Sequence, residues 1–272
     1  MRNRKKFYQL FLYALAVCSF VLLGAGFTMA VDALIRPGKS NITGQLAVQT
    51  DAPPATDNML LGLGDSLTRG IGDSNGQGYF GLVKQKLHAK HNRLSAINLS
   101  VSGQTSTQLA EQVKKARTKR LIQQARWVVM TIGGNDLFRS TDRLQQLNPK
   151  EIEQARIRYE QNLRAILSDV KGANPHATVF LFGLYNPFGD VNIQGADEHV
   201  LKWNESITQI AQSFNGVVVI PTFDLFQLSP GQYLYRDHFH PNGEGYQRMA
   251  DRLLQIISDQ PREGKTANEN ES

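Results

Sequence analysis

The chain has 272 residues, of which 41% are hydrophobic and 20% are charged, a composition typical of a folded globular domain. Its formal net charge is +6, but Arg2, Arg4, Lys5 and Lys6 carry four of those charges, which leaves +2 for residues 7–272. Because the basic residues form a short tail rather than a basic face with interleaved aromatic residues, the sequence gives no support for nucleic-acid binding.

The basic segment 1–6 is followed by an apolar segment, residues 7–31, whose 25 positions carry no charged side chain. This run exceeds the roughly 20 residues that cross a bilayer and is longer than the apolar region of a typical cleaved signal peptide. We therefore predict a single-pass membrane anchor, with the basic segment in the cytoplasm and the rest of the chain outside. Secretion after signal cleavage is the alternative, because Gly24–Gly26 and Thr28–Ala30 are imperfect small-residue cleavage sites.

The remaining chain divides into a tether, one domain and a tail. Residues 32–57 are interrupted by proline and glycine and show no amphipathic period, which predicts a flexible tether. Residues 258–272 are polar and predict a disordered tail. Residues 58–257 suffice for one domain, and since the single cysteine, Cys18, lies in the apolar segment, no intrachain disulfide stabilises that domain.

Within residues 58–257, short apolar runs alternate with amphipathic segments, which predicts parallel strands joined by helices that cover the faces of the sheet. The predicted strands are residues 59–63, 94–99, 127–132, 178–184 and 217–220. The predicted helices are residues 79–90, 105–117, 149–170, 198–214 and 243–257. The fold class expected from this order is α/β with a mainly parallel five-stranded sheet.

The first predicted strand ends at Gly64-Asp65-Ser66, where glycine permits a sharp turn. In open α/β sheets, ligands bind at the carboxyl ends of the strands, so Ser66 is a candidate nucleophile that needs a nearby base. Among the histidines, His240 has Asp237 three residues before it, a spacing that lets the carboxylate reach the imidazole. The other histidines lie near helix ends or in turns without such an arrangement. A helix cap is the structural alternative for His240.

Gly103 and Asn135 follow the second and third predicted strands, so both are expected at the same sheet edge as Ser66. Acyl transfer needs hydrogen-bond donors for the negative oxygen of its tetrahedral intermediate. The backbone N–H of Gly103 and the side-chain amide of Asn135 are suitable donors. Taken singly, each residue is also typical of an ordinary turn or loop. Together at one sheet edge, they favour an oxyanion site.

Other motifs are incomplete. A metallophosphoesterase would share Gly64-Asp65, Gly134–Asp136 and His238–His240, but the first motif lacks its preceding D-x-H and the second lacks its histidine. The segment Gly62–Leu67 lacks the third glycine of a dinucleotide fingerprint. Thr68 stands where the α/β-hydrolase elbow has its second glycine. We therefore expect no metal centre and no nucleotide cofactor.

Four blocks together resemble the SGNH (GDSL) hydrolase family: Gly64–Leu67, Gly103, Gly133–Asp136 and Asp237–Pro241. They occur in the family's order and span about residues 58–257. The resemblance implies a flavodoxin-like, three-layer α/β/α sandwich. It also implies hydrolysis of esters or thioesters without a metal or cofactor.

By this resemblance, Ser66 is the nucleophile, His240 is the general base and Asp237 orients His240. The backbone N–H groups of Ser66 and Gly103 and the side chain of Asn135 form the oxyanion hole. The combination of anchor and hydrolase domain further resembles membrane-anchored, lysophospholipase-like bacterial members of the family. Loops 70–78, 139–147 and 185–194 are expected to shape the acyl pocket.

The sequence therefore predicts a membrane-tethered serine esterase or lipase that works outside the cytoplasm. Its expected partners are the membrane, through the N-terminal helix, and a small-molecule or lipid acyl ester. Two alternatives are a deacetylase of O-acetylated cell-wall polysaccharide and a non-catalytic binding module of the same fold.

Overall fold

The computed structural model describes residues 58–91, 93–139, 149–188 and 195–258, together with Ser19. The predicted basic segment, anchor and tether, and the tail beyond Ser258, lie outside these described residues. Among the described residues, no helix is long and apolar enough to cross a membrane. The chain forms two compact units, Met1–Asp51 and Ala52–Ser272, each held by its own internal contacts. The strands and helices described next belong to the second unit.

Within the described residues, five strands form one parallel sheet in the order β2-β1-β3-β4-β5. The strands are β1 Asn58–Gly64, β2 Leu94–Asn98, β3 Trp127–Thr131, β4 Thr178–Phe182 and β5 Val217–Ile220. This is the strand order of the flavodoxin-like fold, so the predicted fold class is confirmed. The interior strand β3 is buried at every residue, whereas every residue of the edge strand β2 is half-buried.

Ten helices are described outside the sheet. They are α1 Ser66–Arg69, α2 Gly78–Lys90, α3 Ser106–Lys114, α4 Ala116–Gln124, α5 Gly134–Arg139, α6 Pro149–Ala173, α7 Ala196–Ala211, α8 Phe223–Gln227, α9 Pro230–Tyr233 and α10 Gly243–Ser258. The single helix predicted over residues 105–117 is wrong, because the backbone becomes extended at Lys115 and a second helix follows. The short helices α1, α5, α8 and α9 were not predicted, since one or two turns show no helical period.

The sheet separates two hydrophobic clusters, which makes three layers. Alternate residues of β1 point to opposite faces, so Leu61 joins one cluster and Leu60 the other. The Leu61 side is covered by α3, α4, α6 and α7, and it includes the fully buried rings of Tyr159 and Trp203, which lie 5.1 Å apart. The Leu60 side is covered by α2, α8 and α10, including Tyr246. The predicted α/β/α sandwich is therefore confirmed.

The strands place the candidate residues at one edge of the sheet. Gly64 at the end of β1 pairs with Thr131 at the end of β3. The strand order reverses between these two neighbours, and such a switch point is where open α/β sheets bind ligands. The turn after β1 carries Ser66, and the turn after β3 leads to Asn135.

Substitution of Gly64 by alanine should strongly destabilise the fold. Gly64 has a φ of +106°, and a Cβ there would lie 1.9 Å from the Thr131 carbonyl oxygen. Backbone strain and overpacking together should lower the free energy of unfolding by about 3 kcal/mol or more, measured by urea denaturation. Gly76→Ala is the matched control, because Gly76 also has a positive φ but a Cβ there would meet no atom within 4 Å. Gly76→Ala should lower the free energy of unfolding by only about 1 kcal/mol. Equal urea midpoints for the two variants would contradict the clash at Gly64.

Candidate active site

Ser66 is the first residue of helix α1, directly after the left-handed turn at Gly64. The Asp65 side chain caps this helix, because its Oδ1 accepts a hydrogen bond of 3.0 Å from the Leu67 N–H. The N–H of a first helical residue has no acceptor within its own helix, so that of Ser66 is available to a ligand. Ser66 is only 4% exposed, which places its hydroxyl in a largely desolvated position.

Asp237 and His240 share one tight loop, closed by an antiparallel bridge between Leu234 and Pro241. Asp237 Oδ1 accepts hydrogen bonds of 3.0 Å from the N–H groups of Phe239 and His240. Its second oxygen, Oδ2, lies 2.6 Å from His240 Nδ1. The contact expected from the three-residue spacing is therefore present.

His240 also reaches the serine turn, with its Nε2 2.9 Å from Ser66 Oγ. The two turns approach closely because Gly72 has no side chain: a Cβ there would lie 2.4 Å from the Pro241 carbonyl oxygen. A second tie is the hydrogen bond of 2.6 Å that Tyr246 donates to the Ile71 carbonyl. Residues 174 positions apart thus form one continuous serine–histidine–aspartate array.

The charge of Asp237 suits this array. Burial acts to raise the pKa of Asp237, but hydrogen bonds from the His240 ring and from two backbone N–H groups outweigh it and lower the pKa. A charged carboxylate accepts a hydrogen bond from Nδ1–H of His240. Nε2 is then left as an acceptor for the Ser66 hydroxyl, which is the arrangement that activates a serine.

Four buried side chains form a directed hydrogen-bond chain beneath the serine turn. Thr131 Oγ1 donates to Asp65 Oδ1 at 2.7 Å. Since that hydrogen is used, Thr68 Oγ1 must donate to Thr131 Oγ1, also at 2.7 Å, and accept from the Tyr79 hydroxyl at 2.5 Å. No sequence motif marks this hydrogen-bond chain, although Thr131, a polar residue at the end of an otherwise apolar buried strand, is a signal for it.

Asp65 is the last acceptor of this hydrogen-bond chain, and its pKa is raised. Burial raises the pKa of Asp65 from 3.8 to about 7, and the nearby charge of Asp136 adds to the rise. Hydrogen bonds from Thr131 and from the Leu67 N–H oppose this rise without cancelling it. Because Asp65 accepts these bonds from Leu67 and Thr131, its carboxyl holds the serine turn in place, and it makes no contact with the His240 ring in the described structure.

Asn135 brings its amide to the serine pocket. It lies in α5, lines the same pocket as Ser66, and donates through Nδ2 a hydrogen bond of 3.0 Å to the Gln104 carbonyl. A primary amide has two hydrogens, so one is left for another acceptor. Gly103, with a φ of +74°, directly precedes Gln104. The loop is tied to the serine turn by the Val101 N–H, which donates to the Gly64 carbonyl at 2.8 Å.

Asp136, the residue after Asn135, anchors helix α5 to the start of α3. Its carboxylate accepts hydrogen bonds from the Ser106 hydroxyl at 2.6 Å and from the Ser106 N–H at 2.9 Å. Asn162 of α6 donates to the same hydroxyl at 2.9 Å. Burial raises the pKa of Asp136, while the bonds from Ser106 oppose that rise. The starts of α3 and α5 are thus held together, which fixes the position of Asn135.

A small pocket opens beside Ser66 and Asn135. Most of its lining is apolar and comes from Leu67, Phe138, Leu184, Tyr185, Pro187 and Phe239. Phe138 packs edge-to-face on Phe239 at 5.6 Å, and Phe239 packs in the same way on the His240 ring at 5.1 Å. An apolar wall therefore adjoins the serine and the histidine, and it suits an acyl chain.

Of the three loops that were expected to shape this pocket, only one is seen to supply lining residues in the described part of the chain. Loop 185–194 supplies Tyr185 and Pro187, while its residues 189–194 lie outside the described residues. Residues 140–147 of the second loop also lie outside them. Loop 70–78 supplies no lining residue and packs instead against the His240 loop through Gly72.

His238 lies in the same loop as Asp237 and His240, and its backbone forms a turn of that loop. Its backbone has a φ of +54°, and its N–H donates a hydrogen bond of 2.9 Å to the Tyr235 carbonyl, which forms the turn. In the part of the chain that the structure describes, no three histidine, cysteine or carboxylate side chains are grouped closely enough to hold a metal ion.

The raised pKa of Asp65 predicts a pH-dependent stability. Because the folded-state pKa of Asp65 lies above its unfolded-state value, the protonated carboxyl contributes stability. This contribution is fully present below about pH 4 and is lost as the pH rises towards 7. The span from 3.8 to about 7 corresponds to about 4 kcal/mol. Asp65→Asn keeps the acceptor oxygen but removes the titration. Urea denaturation across this window should show wild-type stability falling relative to the variant, and parallel curves would contradict the raised pKa.

The chain is similar to known proteins over most of its length. The family model of the GDSL-like Lipase/Acylhydrolase family matches residues 63–248. The uncharacterized protein YpmR of Bacillus subtilis (strain 168) is 31% identical over 209 residues, which are 73% of this chain and 81% of that protein. Thioesterase 1/protease 1/lysophospholipase L1 of Escherichia coli (strain K12) is 30% identical over 212 residues, 76% of this chain and 86% of that protein.

Solved structures share the fold. The crystal structure of the lipase Lip_vut3 from a goat rumen metagenome aligns with a TM-score of 0.66 and 24% identity, covering 73% of this chain and 96% of that chain. The matched family region contains all four sequence blocks, so the resemblance to GDSL hydrolases is confirmed. The chain belongs to the GDSL-like lipase/acylhydrolase family and is a serine hydrolase that acts on ester bonds.

Proposed function

We propose that Ser66 is the nucleophile of this hydrolase, with His240 as general base and Asp237 as the group that orients it. The observation that carries the proposal is the continuous array in which Ser66 Oγ lies 2.9 Å from His240 Nε2 and His240 Nδ1 lies 2.6 Å from Asp237 Oδ2. A serine hydroxyl is weakly nucleophilic alone, and this arrangement is the standard means of activating it.

The reaction then runs in two acyl transfers. Ser66 Oγ attacks the ester carbonyl as its proton passes to His240 Nε2, and the carbonyl oxygen becomes negative. The N–H groups of Ser66 and Gly103 and the Asn135 amide stabilise that oxygen. The bond to the alcohol breaks, and the alcohol leaves with the proton from His240. Water, deprotonated by His240, then hydrolyses the acyl-enzyme and releases the acid.

The acyl group of the substrate is proposed to be longer than acetyl. Apolar side chains dominate the lining of the pocket beside Ser66, and burial of each methylene against such a lining is favourable. Lysophospholipids and other lipid acyl esters fit this lining, and the similar Escherichia coli protein carries lysophospholipase in its name. Deacetylation of cell-wall polysaccharide is the alternative, which a comparison of acyl chain lengths tests.

The hydrolase domain is proposed to work outside the cytoplasm while tethered to the cell membrane. The support is in the sequence: residues 7–31 carry no charge and residues 1–6 are basic. An uncharged run of this length spans a bilayer, and flanking basic residues favour the cytoplasmic side. Residues 32–57 would then link the membrane to the domain.

Substitution Ser66→Ala should reduce turnover of aryl esters by at least about 10⁴-fold, because no other hydroxyl replaces the attacking atom. The same change should abolish labelling by a fluorophosphonate, which intact-protein mass spectrometry measures as an added mass. Ser213→Ala is the matched control, since Ser213 is an exposed serine in the turn that follows α7. Wild-type protein that neither labels nor hydrolyses any ester would instead indicate a binding module.

The acyl preference should rise with chain length from acetyl to octanoyl esters of one alcohol. Each buried methylene contributes about 0.8 kcal/mol, or about fourfold in kcat/KM, until the pocket is full. Phe138→Ala removes part of the apolar wall and should lower the octanoyl-to-acetyl ratio. Phe214→Ala is the matched control, because Phe214 packs on the core away from the pocket lining. Activity confined to acetyl esters would favour the polysaccharide deacetylase.

The membrane tether predicts that the full chain fractionates with bacterial membranes and that added protease digests the domain in spheroplasts. Replacing Val17 and Val21 together by arginine should remove it from the membrane fraction, because a charge at a span centre costs about 2.5–3.5 kcal/mol. The matched control replaces both by leucine. A mature protein in the medium that lacks the apolar segment by mass would contradict the anchor and support signal cleavage.

A further inference from the structure

The positive charge of the hydrolase domain is concentrated in one part of the chain. Between Asp73 and Asp136 there are ten lysines and arginines and a single acidic residue, Glu111. Since residues 7–272 carry a net charge of only +2, the remainder of those residues is net acidic. All ten of these cationic side chains are exposed. The domain therefore has a strongly basic region that the overall composition does not reveal.

The strand order brings six of these cations to the amino edge of the sheet. Arg93 directly precedes β2 and Arg126 directly precedes β3, and β1 lies between these two strands. The Arg126 N–H donates to the Met59 carbonyl at 3.0 Å, so it lies beside the start of β1. Because α2 and α4 lead into β2 and β3, both helices end at this edge. The remaining four lie within about 8 Å of those helix ends along the axes: Lys86, Lys90, Lys119 and Arg120. We call these six residues the basic edge.

The charges of the basic edge are not neutralised within the domain. Among the described residues, none of its six side chains forms an ion pair. Arg126 donates to Asn58 Oδ1 at 2.6 Å and lies over the Trp127 ring, and Lys90 donates to the Ser258 hydroxyl at 3.5 Å. These partners are neutral, so the positive charges remain. Like charges gathered on one surface repel one another, and an anionic partner relieves that repulsion.

The basic edge is remote from the ester site. Ser66 follows the carboxyl end of β1, and the seven residues of β1 separate it from the amino edge by about 20 Å. The basic edge therefore does not serve a substrate bound at Ser66. It also differs from a site for single-stranded nucleic acid, because the aromatic side chains of residues 74–135 are buried and cannot stack on bases: Tyr79, Phe80 and Trp127.

The chain joins the domain at this same edge. β1 begins at Asn58, which pairs with the first residue of β2 and binds Arg126. The segment that precedes Asn58 in the sequence is the proposed tether, residues 32–57, which follows the uncharged residues 7–31. A membrane is therefore the extended anionic surface most accessible to the basic edge. Each lysine or arginine near a surface of anionic lipid raises the affinity by about fivefold.

We propose that the basic edge docks the hydrolase domain on a lipid surface that contains anionic headgroups. The choice of lipid rests on the proposed tether, whereas the docking surface does not depend on the proposed reaction at Ser66. In the docked state the carboxyl edge of the sheet faces away from the lipid, so an ester reaches Ser66 from the aqueous side. The interaction is electrostatic, and salt weakens it by screening the exposed charges.

The test places one fluorescent reporter at each edge of the sheet. In the full chain with Cys18→Ala, an environment-sensitive dye is attached either to Ala89→Cys, beside Lys90, or to Ser102→Cys, in the loop after β2 at the carboxyl edge. Both positions are exposed. Each labelled protein is reconstituted into phosphatidylcholine vesicles with and without phosphatidylglycerol. The readout is the shift of dye emission to shorter wavelength on entry into a lipid interface, and thermal denaturation checks folding.

The dye at position 89 should shift only in vesicles that contain phosphatidylglycerol, and added salt should reverse the shift. The dye at position 102 should not shift. Lys90→Gln combined with Arg93→Gln should lower the docking equilibrium by about 25-fold, since each lost charge costs about fivefold. Arg69→Gln combined with Arg236→Gln is the matched control, because both arginines are exposed near the carboxyl edge and the net charge falls equally. This control should leave docking unchanged.

Equal emission at position 89 in the two lipid mixtures, or an equal loss from the two pairs of substitutions, overturns the docking surface. The tether stands in that case, because the protein still floats with the vesicles. A shift caused by duplex DNA but not by anionic vesicles overturns the proposal in favour of nucleic acid. Protein that does not enter vesicles overturns the tether and with it the choice of lipid. Fluorophosphonate labelling of Ser66 is expected in both lipid mixtures, and its absence contradicts the proposed reaction alone.

Discussion

The contact between the ends of β1 and β3 determines where the serine stands. Gly64 passes so close to the Thr131 carbonyl that no side chain fits, and the Asp65 N–H donates to that carbonyl at 3.0 Å. The Thr131 hydroxyl then donates to the Asp65 carboxylate, which caps the helix that begins at Ser66. Backbone and side-chain bonds from one residue of β3 therefore fix the orientation of the turn, and strand pairing is transmitted to the Ser66 hydroxyl.

The histidine loop is built by a different principle. Asp237 binds its own loop through two backbone N–H groups before it meets the His240 ring, so this pair is ordered by contacts within four residues. Only its placement against Ser66 depends on distant segments. Gly72 permits that approach, and Tyr246 secures it by binding the Ile71 carbonyl. Two locally rigid turns thus meet across one short interface, where small shifts change the serine–histidine distance directly.

The local character of these features explains what the sequence could predict. The strand positions, the Asp237–His240 contact and the position of Asn135 at the sheet edge follow from period, spacing and the parallel sheet, whereas the flavodoxin-like strand order follows only from the family resemblance. The hydroxyl chain from Tyr79 to Asp65 does not, because Thr131 reaches Asp65 only through strand pairing across 66 positions. The break at Lys115 also went unpredicted, since neither proline nor glycine marks it. The apolar wall combines Phe138 and Phe239 from distant segments, which no local pattern links.

Asn135 connects the start of α5 to the loop that follows β2. Its amide donates one hydrogen to the Gln104 carbonyl, and this bond orients the second amide hydrogen. Gln104 is itself held by Gln112, whose amide is anchored on the Leu99 carbonyl after β2. The Asn135 amide, a proposed oxyanion donor, is therefore held in place by a series of hydrogen bonds that begins at the end of β2.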